Sequence, residues 1–234
     1  MEAEFLRPIL LGESILPYRL FRSFEGVVPI TPTGLVLDSE AAANRGFAGL
    51  HGWMRKAEAA WGANGEGEGM TLTENWNHYN KLSSQFPIAP LRIVYAKSGT
   101  LPAACVLAKS GAVIDHMLYW TAPASGDEAR YLAAILNSET ARQRIAQYQS
   151  RGQWGARHFD KVIFNLRIPR FDSADGLHGT LADAASEAEH VAAGVELPEA
   201  ALFQRARRVV RTALAEAGLS QRIDALVARL LDAG

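Results

Sequence analysis

The chain of 234 residues is long enough for one large domain or two small ones, and its 48% hydrophobic residues can fill a core. Its formal charge of -1, from 24 Lys and Arg against 25 Asp and Glu, excludes a uniformly basic nucleic-acid-binding protein. The one cysteine, Cys105, excludes an intramolecular disulfide. No apolar run approaches the roughly 20 residues of a membrane-spanning helix. The sequence therefore predicts a cytoplasmic protein that does not contact a membrane.

The first half of the chain predicts short strands and one long helix. Segments rich in β-forming residues predict strands at residues 16–21, 26–30 and 34–38. A helix is predicted from Asp38 or Ser39 to about Trp61, because apolar residues recur there at three- and four-residue steps. These residues are Phe47, Leu50, Met54, Ala57 and Trp61. Strands at 91–96, 103–108 and 112–119, separated by Ser-Gly turns, predict an antiparallel meander.

The second half predicts mainly helices. Ser125 with Glu128 forms a capping-box pattern before one helix, and Ser138 can cap the next, which runs to about Ser150. A strand is predicted at residues 161–166, an amphipathic helix within 172–198, and a helical hairpin around Gly218. The expected fold class is α/β (α+β), with a mixed, mostly antiparallel sheet, flanking helices and a C-terminal helical hairpin.

Charge is distributed unevenly along the chain. A basic segment, residues 142–170, is followed by residues 172–199, which hold seven acidic residues and no Lys or Arg. The basic segment contains Arg142, Arg144, Arg151, Arg157, Lys161, Arg167 and Arg170, against Asp160 alone. Its glycines permit close approach to phosphate, and its arginines can supply charge-assisted hydrogen bonds. The alternative is a solvated helix face and a loop that pairs with the acidic segment.

A second candidate contact segment is Thr73–Lys81. It combines three asparagines, a histidine, a lysine and two aromatic residues within nine positions. Asparagine amides can bind adenine edges, and aromatic rings can stack on bases or wedge between them. The alternative is a turn-rich loop in which Trp76 and Tyr79 pack inward.

Signals for catalysis are weak. No two histidines have metal-ligand spacing, and the glycine-rich residues 62–69 lack the Lys-Ser/Thr ending of a phosphate loop. Asp115 and His116 are adjacent in a predicted strand, so their side chains are expected on opposite faces. Cys105 is expected to be a small core residue. No catalytic, cofactor-binding or metal-binding residue is predicted.

The order of several short motifs resembles a known family, the C-terminal target-recognition (specificity) domain of adenine-specific DNA methyltransferases in restriction-modification systems. The resemblance is to the TaqI-like and type IIG enzymes and spans about residues 6–231. Its pieces are Leu6-Arg7-Pro8, Leu11–Tyr18, Val28-Pro29-Ile30, Tyr79-Asn80-Lys81-Leu82 with Gln85, Arg92–Tyr95, Val113-Ile114-Asp115, Leu118-Tyr119-Trp120, Tyr131–Ser138, Arg157–Lys161, Ile168–Asp172 and Ile223–Leu230. The Leu-Asn-Ser helix end is also similar to type I specificity subunits.

The chain departs from these enzymes in its catalytic motifs. It has neither the cofactor loop nor the Asn/Asp-Pro-Pro-Tyr/Phe motif that holds the flipped adenine. The resemblance therefore implies a C-terminal fragment, or a separately encoded half, with no cofactor and no catalytic activity of its own. Its expected partners are double-stranded DNA and the catalytic methyltransferase domain of the parent enzyme. The parent would be an adenine-specific DNA methyltransferase.

With the resemblance, both candidate segments become predicted DNA contacts. Asn75, Asn77, His78, Asn80 and Lys81 are expected at base edges, and Arg142, Arg151, Arg157 and Lys161, with His158 beside them, at phosphates. Residues 1–172 would form the recognition domain and residues 173–234 a helical extension packed on it or on a partner domain. The four arginines between residues 205 and 211 are expected on a solvated or inter-domain face. The alternative function is a protein-interaction module that docks a methyltransferase or restriction subunit without DNA affinity.

Overall fold

The computed structural model describes residues 1–64, 69–97, 102–148, 163, 165–198 and 201–233. The regular elements follow in the order β1 (Leu6–Leu10), β2 (Ile15–Leu16), β3 (Arg19–Leu20), β4 (Phe24–Val27), α1 (Ser39–Asn44), α2 (Ala48–Asn64), α3 (Leu72–Trp76), β5 (Leu91–Ala96), β6 (Ala104–Ala108), β7 (Val113–Ile114), β8 (Leu118–Thr121), α4 (Gly126–Asn137), α5 (Glu139–Ala146), α6 (Gly176–Gly194), α7 (Phe203–Glu216) and α8 (Leu219–Asp232). The predicted fold class is confirmed: helices flank small sheets, and every strand pair with a described register is antiparallel.

The elements form two units that alternate along the chain. The first unit comprises Met1–Ile9, Ser23–Ala89 and Gly111–His116, and the second comprises Leu10–Arg22, Pro90–Ser110 and Met117–Gly234. The units do not follow the predicted division at residue 172, because the helices after that residue belong to the same unit as α4 and α5.

The first unit places α1, α2 and α3 beside a sheet with strand order β4-β1-β7. The predicted apolar stripe of the long helix is confirmed, since Leu50 and Met54 are buried and its other members pack against them. The single helix predicted for residues 38–61 is two helices instead. Gly46 adopts a left-handed φ of 80° between them, which ends α1, while the Asp38 carboxylate caps the amide of Ala41 at 2.7 Å.

The predicted antiparallel meander is wrong in its third strand. Strands β5 and β6 pair as expected, but the run 112–119 does not form the next strand of their sheet. Its first part, β7, belongs to the sheet of the first unit, and β8 pairs with the other edge of β5 to give the order β6-β5-β8. The polar pair Asp115 and His116 interrupts the apolar run, so two short strands form where one was predicted.

The second-unit helices share one core. Tyr131 of α4, Leu181 of α6, Val210 of α7 and Val227 of α8 are buried in the same cluster. Gly218 supplies the left-handed turn of the predicted C-terminal hairpin, with a φ of 72°. The caps predicted at Ser125 and Ser138 are also confirmed, each by a side-chain oxygen that accepts a backbone amide three residues on. Of the strand predicted at 161–166, residues 161, 162 and 164 lie outside the described residues, and residues 163, 165 and 166 are not in a strand, so the prediction is wrong for these three.

Two of the four arginines predicted on a solvated or inter-domain face point into the second unit. Arg207 is buried and donates from Nε to the carbonyl of Ile15 at 3.1 Å and from Nη2 to that of Gly12 at 2.7 Å. Arg211 donates to the carbonyl of Pro102. Burial lowers the pKa of Arg207 to about 10, which still leaves it charged at neutral pH. Arg207 and Arg211 therefore connect α7 to β2, to the turn before it and to Pro102, whereas Arg205 and Arg208 are exposed.

Candidate nucleic-acid interface

The predicted base-contacting segment follows α3 in the first unit. A capping box starts this helix: Glu74 donates its backbone amide to the Thr71 hydroxyl at 3.2 Å, and its carboxylate accepts the Thr71 amide at 2.7 Å. The hydrogen bonds that the Thr71 amide and, second, the Thr71 hydroxyl donate to the Glu74 carboxylate lower its pKa. The helix ends at Trp76, whose ring packs on Trp53 with centroids 6.1 Å apart. The capping box and the Trp76–Trp53 contact therefore hold the helix from which the segment 75–81 continues.

The backbone of the segment is strained at two successive residues. Tyr79 has a φ of 55° and Asn80 a φ of 57°, in the left-handed region that side chains with a Cβ rarely adopt. The strain turns Tyr79 outward, with 83% of the residue exposed. The predicted alternative, an inward-packed Tyr79, is wrong. The ring lies beside the imidazole of His78, with the two centroids 4.1 Å apart, and beside Lys81, whose Nζ is 5.9 Å from the ring centroid.

Asn77 holds this turn in place. Its carbonyl accepts the Asn80 amide at 2.7 Å, and its side-chain Oδ1 accepts the amide of Ser83 at 2.9 Å. Its side-chain oxygen is thus engaged within the turn. By contrast, the side-chain amides of Asn75 and Asn80 make no hydrogen bond within the described part of the chain, and both residues are exposed.

Gln85 is a positioning residue that the sequence reasoning did not assign. It is 3% exposed, and its side-chain amide bonds to both backbone groups of Ile114. Oε1 accepts the Ile114 amide at 2.8 Å, while Nε2 donates to the Ile114 carbonyl at 2.9 Å and to the Lys81 carbonyl at 3.1 Å. The turn that carries Lys81 is therefore fixed to β7. Gln85 follows Ser83-Ser84 and precedes Phe86-Pro87, so no local pattern in the sequence marks it.

A cavity of about 600 Å³ lies beside the segment within the first unit. Asn75, His78 and Lys81 line it, as do Asp115 and His116. The last two were predicted on opposite strand faces, and this is wrong. They lie in a turn after β7, where His116 Nδ1 is 2.9 Å from Asp115 Oδ2, so the two side chains interact directly.

Arg142, the described member of the predicted phosphate contacts, lies on α5 in the second unit. Its guanidinium forms an ion pair with Glu139, three residues earlier on the helix. The hydrogen bond from Arg142 is the main cause of the lowered pKa of Glu139, and it raises the pKa of Arg142 in turn. Arg144 pairs similarly with Asp232. Arg151, Arg157, His158 and Lys161 lie outside the described residues.

The acidic stretch after Asp172 pairs with other cations. On α6, Glu189 accepts from Arg130 of α4 at 3.0 Å, and Glu187 accepts from Arg222 of α8 at 2.8 Å. Four arginines of the basic segment are described: Arg142 and Arg144 form their ion pairs elsewhere, and Arg167 and Arg170 form none with a described residue. The predicted pairing of the basic segment with the acidic one is therefore absent for these four arginines among the described residues.

The remaining reactive groups show no assembled chemistry among the described residues. No group of three His, Cys, Asp or Glu side chains there could hold a metal ion. Cys105 is a buried core residue, as expected, and burial raises the pKa of its thiol to about 12. Within the same residues, no helix is long and apolar enough to cross a membrane. The sequence matches no known protein-family model and no curated protein.

The strain at Tyr79 gives a testable stability prediction. Tyr79→Gly is expected to be more stable than Tyr79→Ala by about 1 kcal/mol, because glycine occupies the left-handed region without the Cβ penalty. Urea denaturation of the two variants measures the difference. Since the Tyr79 side chain is exposed, both variants lose the same few contacts. A more stable alanine variant would show that the left-handed backbone is not a source of strain.

Proposed function

We propose that the chain is a sequence-specific DNA-recognition module of an adenine-specific DNA methyltransferase or restriction-modification enzyme, without the catalytic methyl-donor domain. The observation that carries the proposal is the 83% exposed Tyr79, held outward by two left-handed residues. An aromatic ring in this position loses the stabilisation of burial, and the turn adds backbone strain. Such a ring, placed beside a cation, can stack on a base or wedge between base pairs.

The polar groups around Tyr79 fit the same proposal. Lys81 is exposed and makes no ion pair among the described residues, so its ammonium can approach a phosphate. The free side-chain amides of Asn75 and Asn80 have the donor and acceptor pair that reads an adenine edge in the major groove. Asn77 has a different role: its side-chain oxygen accepts the Ser83 amide and so holds the turn in position.

Binding of the chain to a mixed-sequence DNA duplex tests the proposal. We expect affinity to fall steeply between about 50 mM and about 200 mM salt, because phosphate contacts release counterions. Tyr79→Ala should weaken binding about tenfold, from loss of a stacking contact of about 1–3 kcal/mol. Lys81→Ala should weaken binding and reduce the salt slope by about one. Fluorescence anisotropy with a labelled duplex measures all three effects.

Matched substitutions in the same unit serve as controls. Lys56 is an exposed lysine on α2, and Leu35 is an apolar residue that is 45% exposed. Lys56→Ala and Leu35→Ala should bind DNA as the unaltered chain does. Absence of duplex binding at low salt, or equal losses from Tyr79→Ala and Leu35→Ala, would contradict the proposal.

A protein-docking function has one observation in its favour. Leu202, immediately before α7, is 71% exposed, and Val209 on the same helix is 39% exposed. Apolar residues in this position can seat against a partner subunit. Docking of this kind predicts little dependence on salt, so the salt titration separates it from DNA binding.

A further inference from the structure

The cavity of the first unit has the size and lining of a ligand site. Its volume of about 600 Å³ falls within the roughly 300–1,000 Å³ of typical small-molecule sites. Its lining divides into an apolar part and a polar part. The apolar part includes Val28, Pro29, Trp76, Leu82 and Val113, and the polar part includes Asn75, His78 and Lys81.

The apolar part is a firm surface. Val28, Leu82 and Val113 are buried and pack with Ile30 in one cluster. The hydrogen bonds of Gln85 to Ile114 and Lys81 hold the two sides of this cluster together. A surface of this kind suits the face of a planar, mostly apolar ring, such as a nucleobase.

The polar part contains side chains that have no hydrogen-bond or ion-pair partner among the described residues. The side-chain amide of Asn75 makes no hydrogen bond there, and the Lys81 ammonium makes no ion pair. The imidazole of His78 packs edge-on against the ring of Tyr79 and makes no hydrogen bond with a described residue. An amide beside a cation matches a base edge beside a phosphate. Asp115 and His116, also at the cavity, interact with each other.

We propose that this cavity binds one unpaired nucleotide, with its base on the apolar part and its phosphate at Lys81. The inference rests on the proposed function, since an unpaired nucleotide of a DNA strand is the source that function supplies. A free mononucleotide carries the same chemistry. The cavity is separate from the stacking surface at Tyr79, which does not belong to its lining.

The test compares two labelled duplexes that differ by one extra, unpaired nucleotide in one strand. We expect the chain to bind the bulged duplex about tenfold more tightly than the paired one, because the Watson–Crick edge and the stacking faces of a base become available only when it is unpaired. The ratio of the two dissociation constants is the readout, because Lys81→Ala weakens binding to both duplexes. Asn75→Ala and Lys81→Ala should bring the ratio close to one. Asn44→Ala and Lys56→Ala, exposed residues of the same unit that do not line the cavity, should leave it unchanged.

A variant that fills the cavity provides a second test. Met70 lines the cavity and is only partly buried, so Met70→Trp adds bulk there with little effect on the core. It too should bring the ratio close to one, and its thermal unfolding midpoint confirms that it is folded. If it is not folded, the ratios for Asn75→Ala and Lys81→Ala decide.

Calorimetric titration with deoxynucleoside monophosphates completes the test. Equal affinity for the two duplexes and no binding of the monophosphates would overturn the cavity proposal, and paired-duplex binding would still support the proposed function. Monophosphate binding that Lys81→Ala removes, without any duplex binding, would support the cavity and overturn the proposed function. Equal duplex affinities with monophosphate binding would identify the free mononucleotide as the ligand.

Discussion

Replacing Gln85 with leucine is expected to lower the free energy of unfolding by about 2–4 kcal/mol. Leucine is similar in volume but has no polar atoms. It would leave the Ile114 amide and the carbonyls of Ile114 and Lys81 without their present partner. Each buried polar group that loses its hydrogen bond costs about 1–3 kcal/mol. Urea denaturation gives the total, and amide hydrogen exchange at Ile114 should become faster.

Gln85→Glu provides a pH-dependent version of the same experiment. The carboxylate can accept the Ile114 amide, but it faces the two carbonyl oxygens to which the glutamine donates. Burial and these oxygens should raise the folded-state pKa of the new carboxyl above its unfolded value near 4.3. The stability contributed by the protonated form is then fully present below the unfolded pKa and is lost as the pH rises through the folded one.

Ser84, the exposed neighbour of Gln85, supplies the control. Ser84→Ala should change stability by no more than about 0.5 kcal/mol. If Gln85→Leu were as mild as this, the hydrogen bonds to Ile114 would not hold the turn to β7. DNA affinity of the leucine variant should also fall if the turn is held in this way, because the same turn carries Lys81.

The parts of the fold that the sequence predicts well depend on local patterns. The hairpin of α7 and α8 follows from a glycine between two amphipathic runs, and the α2 stripe follows from apolar spacing. The run 112–119 could not be assigned in the same way. Its apolar residues predict strand, but nothing local states which sheet each half joins. The two strands separate at Asp115 and His116 because β7 pairs with β1 and β8 pairs with β5, and both partners are distant in sequence.

The contacts of buried charged and amide side chains were also not predicted from the sequence. Arg207 and Arg211 were expected on a solvated or inter-domain face, yet they bind carbonyls about one hundred or more residues away in the chain. Gln85 acts on Ile114, which is 29 residues distant. Such contacts have no periodicity, so composition and spacing do not reveal them. For the candidate site, the sequence identified the segment 75–81 but not the left-handed turn that exposes Tyr79.

Both units use a buried amide to complete an edge strand. In the first unit, β7 is at the edge of its sheet, and Gln85 bonds to Ile114 as a neighbouring strand would. In the second unit, β6 is at an edge, and Asn137 does the same at Ala104. Its Oδ1 accepts the Ala104 amide and its Nδ2 donates to the Ala104 carbonyl, both at 2.9 Å. An edge strand closed by a side chain leaves fewer groups open for pairing with other chains.

Asn137→Leu should therefore destabilise the protein by about 1–3 kcal/mol, less than Gln85→Leu, because one buried amide loses its partner. Asn137 is 7% exposed, and the leucine variant leaves the Ala104 amide without its present partner, whereas the Ala104 carbonyl still accepts the Tyr18 amide at 2.8 Å. Gln143→Leu, at an exposed amide of α5, is the control and should be nearly neutral. Amide exchange at Ala104 should accelerate in Asn137→Leu and not in Gln85→Leu, because each amide completes a different sheet. Equal acceleration at Ala104 and Ile114 in both variants would mean instead that the two units unfold together.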